Sequence, residues 1–152
     1  MQSIAPELDV KRVSIMGAGR IGTPVIDFVR GRDPWRLAAV LVRRNRPSAE
    51  PEVTSDAGHF FDQETDVIID AAGPDALRAH GQQALAQADL WTISGTALSD
   101  PDLMRRLSKV GGATGHRLRI LPGASIGPGL VAWMASRIDG SRAKADTASR
   151  PP

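Results

Sequence analysis

Lys11-Arg12-Val13-Ser14-Ile15-Met16 runs without a break into Gly17-Ala18-Gly19-Arg20-Ile21-Gly22. A short β-branched run (Val13, Ile15) ends at Gly17, glycines recur at Gly19 and Gly22, and Ile21, Val25, Ile26 and Val29 follow at helical spacing as far as Gly31, a stop signal. Strand, glycine turn and helix in that order supply the context in which Gly-x-Gly-x-x-Gly reads as a dinucleotide-binding turn. Each glycine has its own task. Gly17 permits a tight strand-to-helix turn, Gly19 lets the backbone approach a pyrophosphate without a Cβ in the way, and Gly22 lets the helix pack close to the strand. The helix N-terminus then faces the phosphates with N–H groups and a partial positive charge. Gly17, Ala18, Gly19, Arg20, Ile21 and Gly22 are the first candidate cofactor-binding residues.

Outward from this turn, strands and helices alternate. Trp35 to Val42 is a largely apolar run bounded by Asp33-Pro34 and by Arg43-Arg44-Asn45-Arg46-Pro47, and it reads as a buried parallel strand that completes a βαβ unit. Pro47 to Gln63 is polar and broken by Pro47, Pro51 and Gly58, with room for one short strand near Val53. Asp66 to Ala72 is the clearest strand, ending at Gly73-Pro74-Asp75, where Pro74 suits the first helical position and Asp75 favours the positive helix end. The helix that follows places Leu77, Gly81, Ala84, Leu85 and Ala88 on one face. Leu90 to Ser94 is a further strand. Ser99-Asp100-Pro101-Asp102 opens another helix, with Leu103, Leu107 and Val110 inward and Gly111-Gly112 as its expected end, and Leu118 to Leu121 is a last strand. The alternation predicts an α/β fold, a doubly wound parallel sheet of the Rossmann type with right-handed crossovers.

Composition sets limits on this reading. A chain of 152 residues suits one domain that buries roughly 70% of its extended surface. Hydrophobic residues at 41% and charged residues at 24% are ordinary for a globular protein. Aromatics are only 4% and the net charge is +2, so the basic cluster at Arg43, Arg44 and Arg46 lacks the stacking platforms of a nucleic-acid surface, and no nucleic-acid partner is expected. No cysteine is present, which removes disulfides, thiolate nucleophiles and cysteine-based metal sites. Met1 to Asp9 forms a short leader with no basic-then-apolar signal pattern, and no apolar run approaches membrane-spanning length. A cytoplasmic protein without a membrane partner is the expectation. Residues 139 to 152 carry no large apolar side chain, and a disordered tail is expected there.

In a doubly wound sheet the ligand sits beyond the carboxyl ends of the strands, where the strand order reverses. The residue that reads the ribose lies about 20 residues past the glycines, which brings the count to Val42 and the Arg43-Arg44 pair after it. No acid stands there. A carboxylate would bind both ribose hydroxyls and repel a 2′-phosphate, whereas an arginine fork binds that phosphate. NADP is therefore expected to be accepted alongside NAD. At the next strand end Ala72, Gly73 and Pro74 are small enough to let the nicotinamide half lie against backbone, and Ser94 marks the strand end after that. His59, His80 and His116 have no spacing to acids that suggests a metal, Asp66 and Asp70 merely flank an apolar strand, and no catalytic residue is assigned.

Gly17 to Gly22, Asp70-Ala71-Ala72-Gly73-Pro74, Ile93-Ser94-Gly95-Thr96-Ala97-Leu98-Ser99-Asp100 and above all Leu121-Pro122-Gly123-Ala124-Ser125-Ile126-Gly127 together resemble the nucleotide-binding domain of NAD(P)-dependent L-aspartate dehydrogenases over about residues 11–134. The resemblance implies reversible oxidative deamination of L-aspartate to iminoaspartate, which hydrolyses to oxaloacetate and ammonia and in some members feeds NAD synthesis. It also implies a cofactor contact at Ala124. Ser125 is an extra residue against the family's Pro-Gly-Ala-Ile-Gly. The family continues into a second domain that carries the catalytic histidine, most substrate contacts and the oligomer interface. The expectation is thus a dinucleotide-binding domain over 1–134, a tail over 135–152, and no catalytic domain, as from a truncated or frame-shifted reading frame. Such a chain would be inactive alone, would meet L-aspartate only with a catalytic domain supplied, and leaves a homo-oligomer open. Two alternatives stand beside it: a non-catalytic NAD(P)-binding module, and a homoserine dehydrogenase or dihydrodipicolinate reductase relative, against which the Pro-Gly-Ala segment speaks.

Overall fold

The computed structural model describes residues 11–44 and 50–121. The expected leader, the Ala124 stretch and the tail lie outside these residues. Strands β1 (Lys11–Met16), β2 (Trp35–Leu41), β3 (Val53–Thr54), β4 (Val67–Asp70), β5 (Asp89–Thr92) and β6 (Leu118–Ile120) form one sheet in the order β3-β2-β1-β4-β5-β6. Every pairing in it is parallel. Helices α1 (Gly22–Arg30), α2 (Ala57–Asp62), α3 (Pro74–Gln87) and α4 (Pro101–Thr114) and a 3-10 turn over Gly95–Ser99 make the connections. This is the doubly wound order, with the reversal between β1 and β4.

Side chains alternate across the strands and so divide the core in two. Val13, Ile15, Val67 and Ile69 meet Val25, Ile26, Phe28 and Val29 of α1 on one face. Trp35 of β2 and Trp91 of β5 meet edge-on in this layer, with ring centroids 6.2 Å apart. On the other face Met16, Ile68 and Leu90 pack with Phe60 of α2, Leu77, Ala84 and Leu85 of α3, and Leu103 and Leu107 of α4. Arg30 in the last turn of α1 binds Glu50 at 2.8 Å and Glu52 at 3.6 Å, tying that helix to the segment that enters β3. Among the described residues, no helix is long and apolar enough to cross a membrane.

Two expectations are corrected. The polar stretch up to Gln63 contains α2, which sequence reading passed over. Asp56 caps it by accepting from the N–H groups of Gly58 and His59, and its single buried anchor is Phe60. The second correction is at the end of α4. Gly111 and Gly112 stay helical, and the helix stops at Gly115, whose φ of +78° is the left-handed cap and whose N–H donates to the Gly111 carbonyl. Glycine permits a stop without imposing one, and here the third glycine takes the capping geometry. Elsewhere the strands and helices stand where the hydrophobic pattern places them, within one or two residues at their ends.

The double-layer core makes a contrast within one helix measurable. Leu107 of α4 is fully buried, whereas Met104 is 39% exposed. Leu107→Ala is expected to cost about 2–5 kcal/mol in urea unfolding, and Met104→Ala to stay within about 0.5 kcal/mol of the parent.

Candidate functional site

The carboxyl ends of β1 and β4 form the cleft, and its floor is backbone. The ladder continues one step past each strand: Gly17 N–H donates to Leu41 O, Ala71 N–H to Met16 O, Ile93 N–H to Asp70 O and Leu121 N–H to Thr92 O. At two of the turn's glycines there is no space for a side chain. Gly17 has a φ of +99°, and a Cβ placed on it would lie 2.8 Å from Ala72 Cα. A Cβ on Gly22 would lie 2.0 Å from the Gly17 carbonyl oxygen. A Cβ on Gly19, by contrast, would meet no atom within 4 Å. The first and third glycines are thus required by the fold, whereas Gly19 faces open space.

The helix that opens at this turn is left uncapped by side chains. Ile21 precedes α1 with no side-chain cap, and the first turn holds no acid. Thr23 stiffens the approach, donating its hydroxyl to Ala18 O at 2.9 Å. The α1 N-terminus therefore keeps its positive end for an anion. Ala18, Gly19 and Arg20 are exposed and line the approach, and Ile21 is half-buried against the α1 layer.

Asp70 is the side chain that holds the neighbouring turns in place. It is fully buried at the end of β4. Its Oδ1 accepts from the N–H groups of Ala72 and Gly73, and its Oδ2 accepts from the Thr92 and Ser94 hydroxyls at 2.7 and 3.0 Å. A carboxylate is acceptor-only, and these donors fill both of its oxygens. The β4 turn that abuts Gly17 is therefore fastened to the end of β5. Sequence reading saw Asp70 only as a residue flanking an apolar strand. The signal for more was the set of short hydroxyl residues, Thr92 and Ser94, at the end of the adjacent strand.

The remaining candidates fall at different places. Ala72 and Pro74 are exposed and Gly73 is half-buried, with a φ of +120°. Ser94 is buried and its hydroxyl is directed at Asp70, so what it offers the cleft is backbone. Arg43 and Arg44 follow the end of β2, and both are exposed. Arg43 Nη2 lies 3.8 Å from Asp75 Oδ2 in the first turn of α3. Ala124 lies outside the described residues. Two open polar hollows of about 370 and 460 Å³ lie at the opposite end of the sheet, around Arg12, Asp62 and Glu64. Neither touches the glycine turn, and in both Arg12 pairs with Glu64 at 2.8 Å.

Comparison with known proteins agrees with the cleft. Residues 17–121 match the family model described as the NAD binding domain of homoserine dehydrogenase. The L-aspartate dehydrogenase of Pseudomonas aeruginosa is 31% identical over 91% of this chain and 55% of its own length. Among solved structures, an engineered D-amino acid dehydrogenase bound to NADP+ matches with a TM-score of 0.62 at 18% identity, covering 88% of this chain and 41% of that one. Aspartate dehydrogenase from Thermotoga maritima matches with a TM-score of 0.52 at 20% identity, covering 72% and 45%. At these identities the structural likeness is one of fold. The chain spans about half the length of the curated relatives it matches.

Three substitutions test the cleft. Gly22→Ala is expected to destabilise the fold by about 3 kcal/mol, because the new methyl group collides with backbone. Gly19→Ala should melt with the parent yet bind dinucleotide at least about tenfold more weakly, since its methyl occupies ligand space. Asp70→Ala leaves four donors without their acceptor. It is expected to cost about 3 kcal/mol in chemical denaturation.

Proposed function

Because the chain belongs to the family of homoserine dehydrogenase-type NAD-binding domains, we propose that it is the cofactor-binding part of an NAD(P)-dependent L-aspartate dehydrogenase. The observation that carries the substrate is the 31% identity to an L-aspartate dehydrogenase across nine-tenths of this chain. The glycine turn and the uncapped α1 N-terminus supply the dinucleotide site. In this reading Gly17 to Gly22 cradle the pyrophosphate, Arg43 and Arg44 face the adenosine ribose, and Ala72, Gly73 and Pro74 with the Ser94 backbone bed the nicotinamide half. Ala124 contributes from the segment after β6.

The bound dinucleotide supplies the acceptor for the hydride that leaves C2 of aspartate. This chain's residues bind and orient it. Orientation matters because a hydride passes only between atoms held in contact. Residues 1–134 form the binding domain in this proposal. Substrate contacts, the proton acceptor and any subunit interface belong to a further part of the protein, and the location is cytoplasmic. A homoserine dehydrogenase relative is the second reading, favoured by the description of the matching family model.

Fluorescence titration with NADPH and NADH tests the site. Both are expected to bind. Replacing Arg43 and Arg44 together by Ala should weaken NADPH about tenfold, the loss of one charge-assisted hydrogen bond or more, and leave NADH within about twofold. Aspartate oxidation and homoserine oxidation, each assayed with both cofactors, separate the two readings once the further part is supplied. Turnover of aspartate by this chain alone would overturn the proposed division of labour.

A further inference from the structure

Helices α3 and α4 begin with the same first turn. Each reads Pro-Asp-x-x-Arg, as Pro74-Asp75 to Arg78 and Pro101-Asp102 to Arg105. In each the aspartate faces the arginine one turn on, Asp75 Oδ1 at 3.5 Å from Arg78 and Asp102 Oδ1 at 2.9 Å from Arg105. Only Asp75, among the described residues, has a second cation: Arg43, which reaches it from the end of β2 on the far side of the glycine turn.

That contact places a carboxylate where the sequence lacks one. The acid that reads the ribose hydroxyls in this class of site stands at the end of the second strand, and here that position is Val42, followed by Arg43 and Arg44. Asp75 Oδ2 lies within ion-pair reach of Arg43, so the acid arrives in the same corner from α3. Both partners are at least four-fifths exposed. Water competes for each of them, and such a pair opens at little cost.

We infer that Asp75 is a specificity-determining residue of the dinucleotide site, opposing the 2′-phosphate of NADP and accepting from the ribose hydroxyls of NAD, while Arg43 acts in the reverse sense. The inference rests on the proposed dinucleotide reading and deepens it. With an acid and a base in one corner, neither cofactor is refused. The preference is the balance of two charges, and Arg78 tempers the acid from within its own helix.

The test compares the ratio of NADPH to NADH affinity in the wild-type chain, Asp75→Asn, Arg43→Ala, the double variant, and Asp102→Asn, which removes the matching carboxylate in the first turn of α4. Asp75→Asn should raise the ratio about fivefold, the upper end of what one solvent-screened charge supplies. Arg43→Ala should lower it, the double variant should fall between the two, and Asp102→Asn should leave it unchanged. Raising the salt concentration should shrink the Asp75 effect. A ratio in Asp75→Asn that stays at the wild-type value while both cofactors still bind overturns the inference and leaves the dinucleotide site standing. If the wild-type chain binds neither cofactor, the dinucleotide reading itself is overturned, and the first titration shows it. Asp75 is exposed, and a thermal melt of each variant separates a lost charge from a lost fold.

Discussion

Where β1 ends, the chain turns with so little room that Gly22 lies against the Gly17 carbonyl and Gly17 lies against Ala72. Those two approaches join three pieces of backbone: the end of β1, the start of α1 and the turn after β4. If either glycine gained a side chain, α1 would have to lift from the sheet, and with it Val25, Ile26 and Val29, which fill one face of the core. Packing and site thus share a single constraint. The close approach that lets α1 bury its apolar stripe is the same one that points its uncapped N-terminus into the cleft. Asp70 extends this constraint to β5, because its carboxylate fastens the Ala72-Gly73 turn to the Thr92 and Ser94 hydroxyls.

Much of this was readable from spacing. Glycine offsets and the 3.6-residue stripe from Val25 to Val29 encode a local event, a strand turning into a helix, and local events leave periodic traces. The alternation of strands and helices gives a doubly wound parallel sheet, and the six strands do form one all-parallel sheet. What escaped had either a short trace or a partner far along the chain. Helix α2 is only six residues long with one buried anchor, too brief for a period to emerge. Gly111, Gly112 and Gly115 are equivalent as letters, and only the approach of the His116 carbonyl to Gly111 and the positive φ of Gly115 separate them. Asp70 looked inert because its partners, Thr92 at the end of β5 and Ser94 just beyond it, lie more than 20 residues along the chain. No acid stands about 20 residues past the glycines, where such sites carry one, and the carboxylate that meets Arg43 comes from α3, far along the chain.

The two halves of the site obey different physics. The cradle around Gly17 and Ala72 is short-range, made of van der Waals exclusion and buried hydrogen bonds, and water has little part in it. The corner around Arg43 and Asp75 is long-range and solvent-screened, made of flexible side chains that are mostly exposed. An exclusion constraint tolerates no change at its contact points, whereas a screened charge can be altered at an energetic cost that leaves the fold untouched.

This difference governs how far resemblance carries. A backbone cradle is reproduced wherever the glycines and the strand order are reproduced, so it persists between chains that share few side chains. The corner is set by one or two exposed residues and can change while the fold stays the same. Likeness of backbone at low identity therefore transfers the fold and not the cofactor preference, and still less the substrate. For this chain the glycine turn says that a dinucleotide fits. In the reading proposed above, which dinucleotide is favoured is decided by the opposed charges of Arg43 and Asp75, and those have to be read from this chain's own side chains.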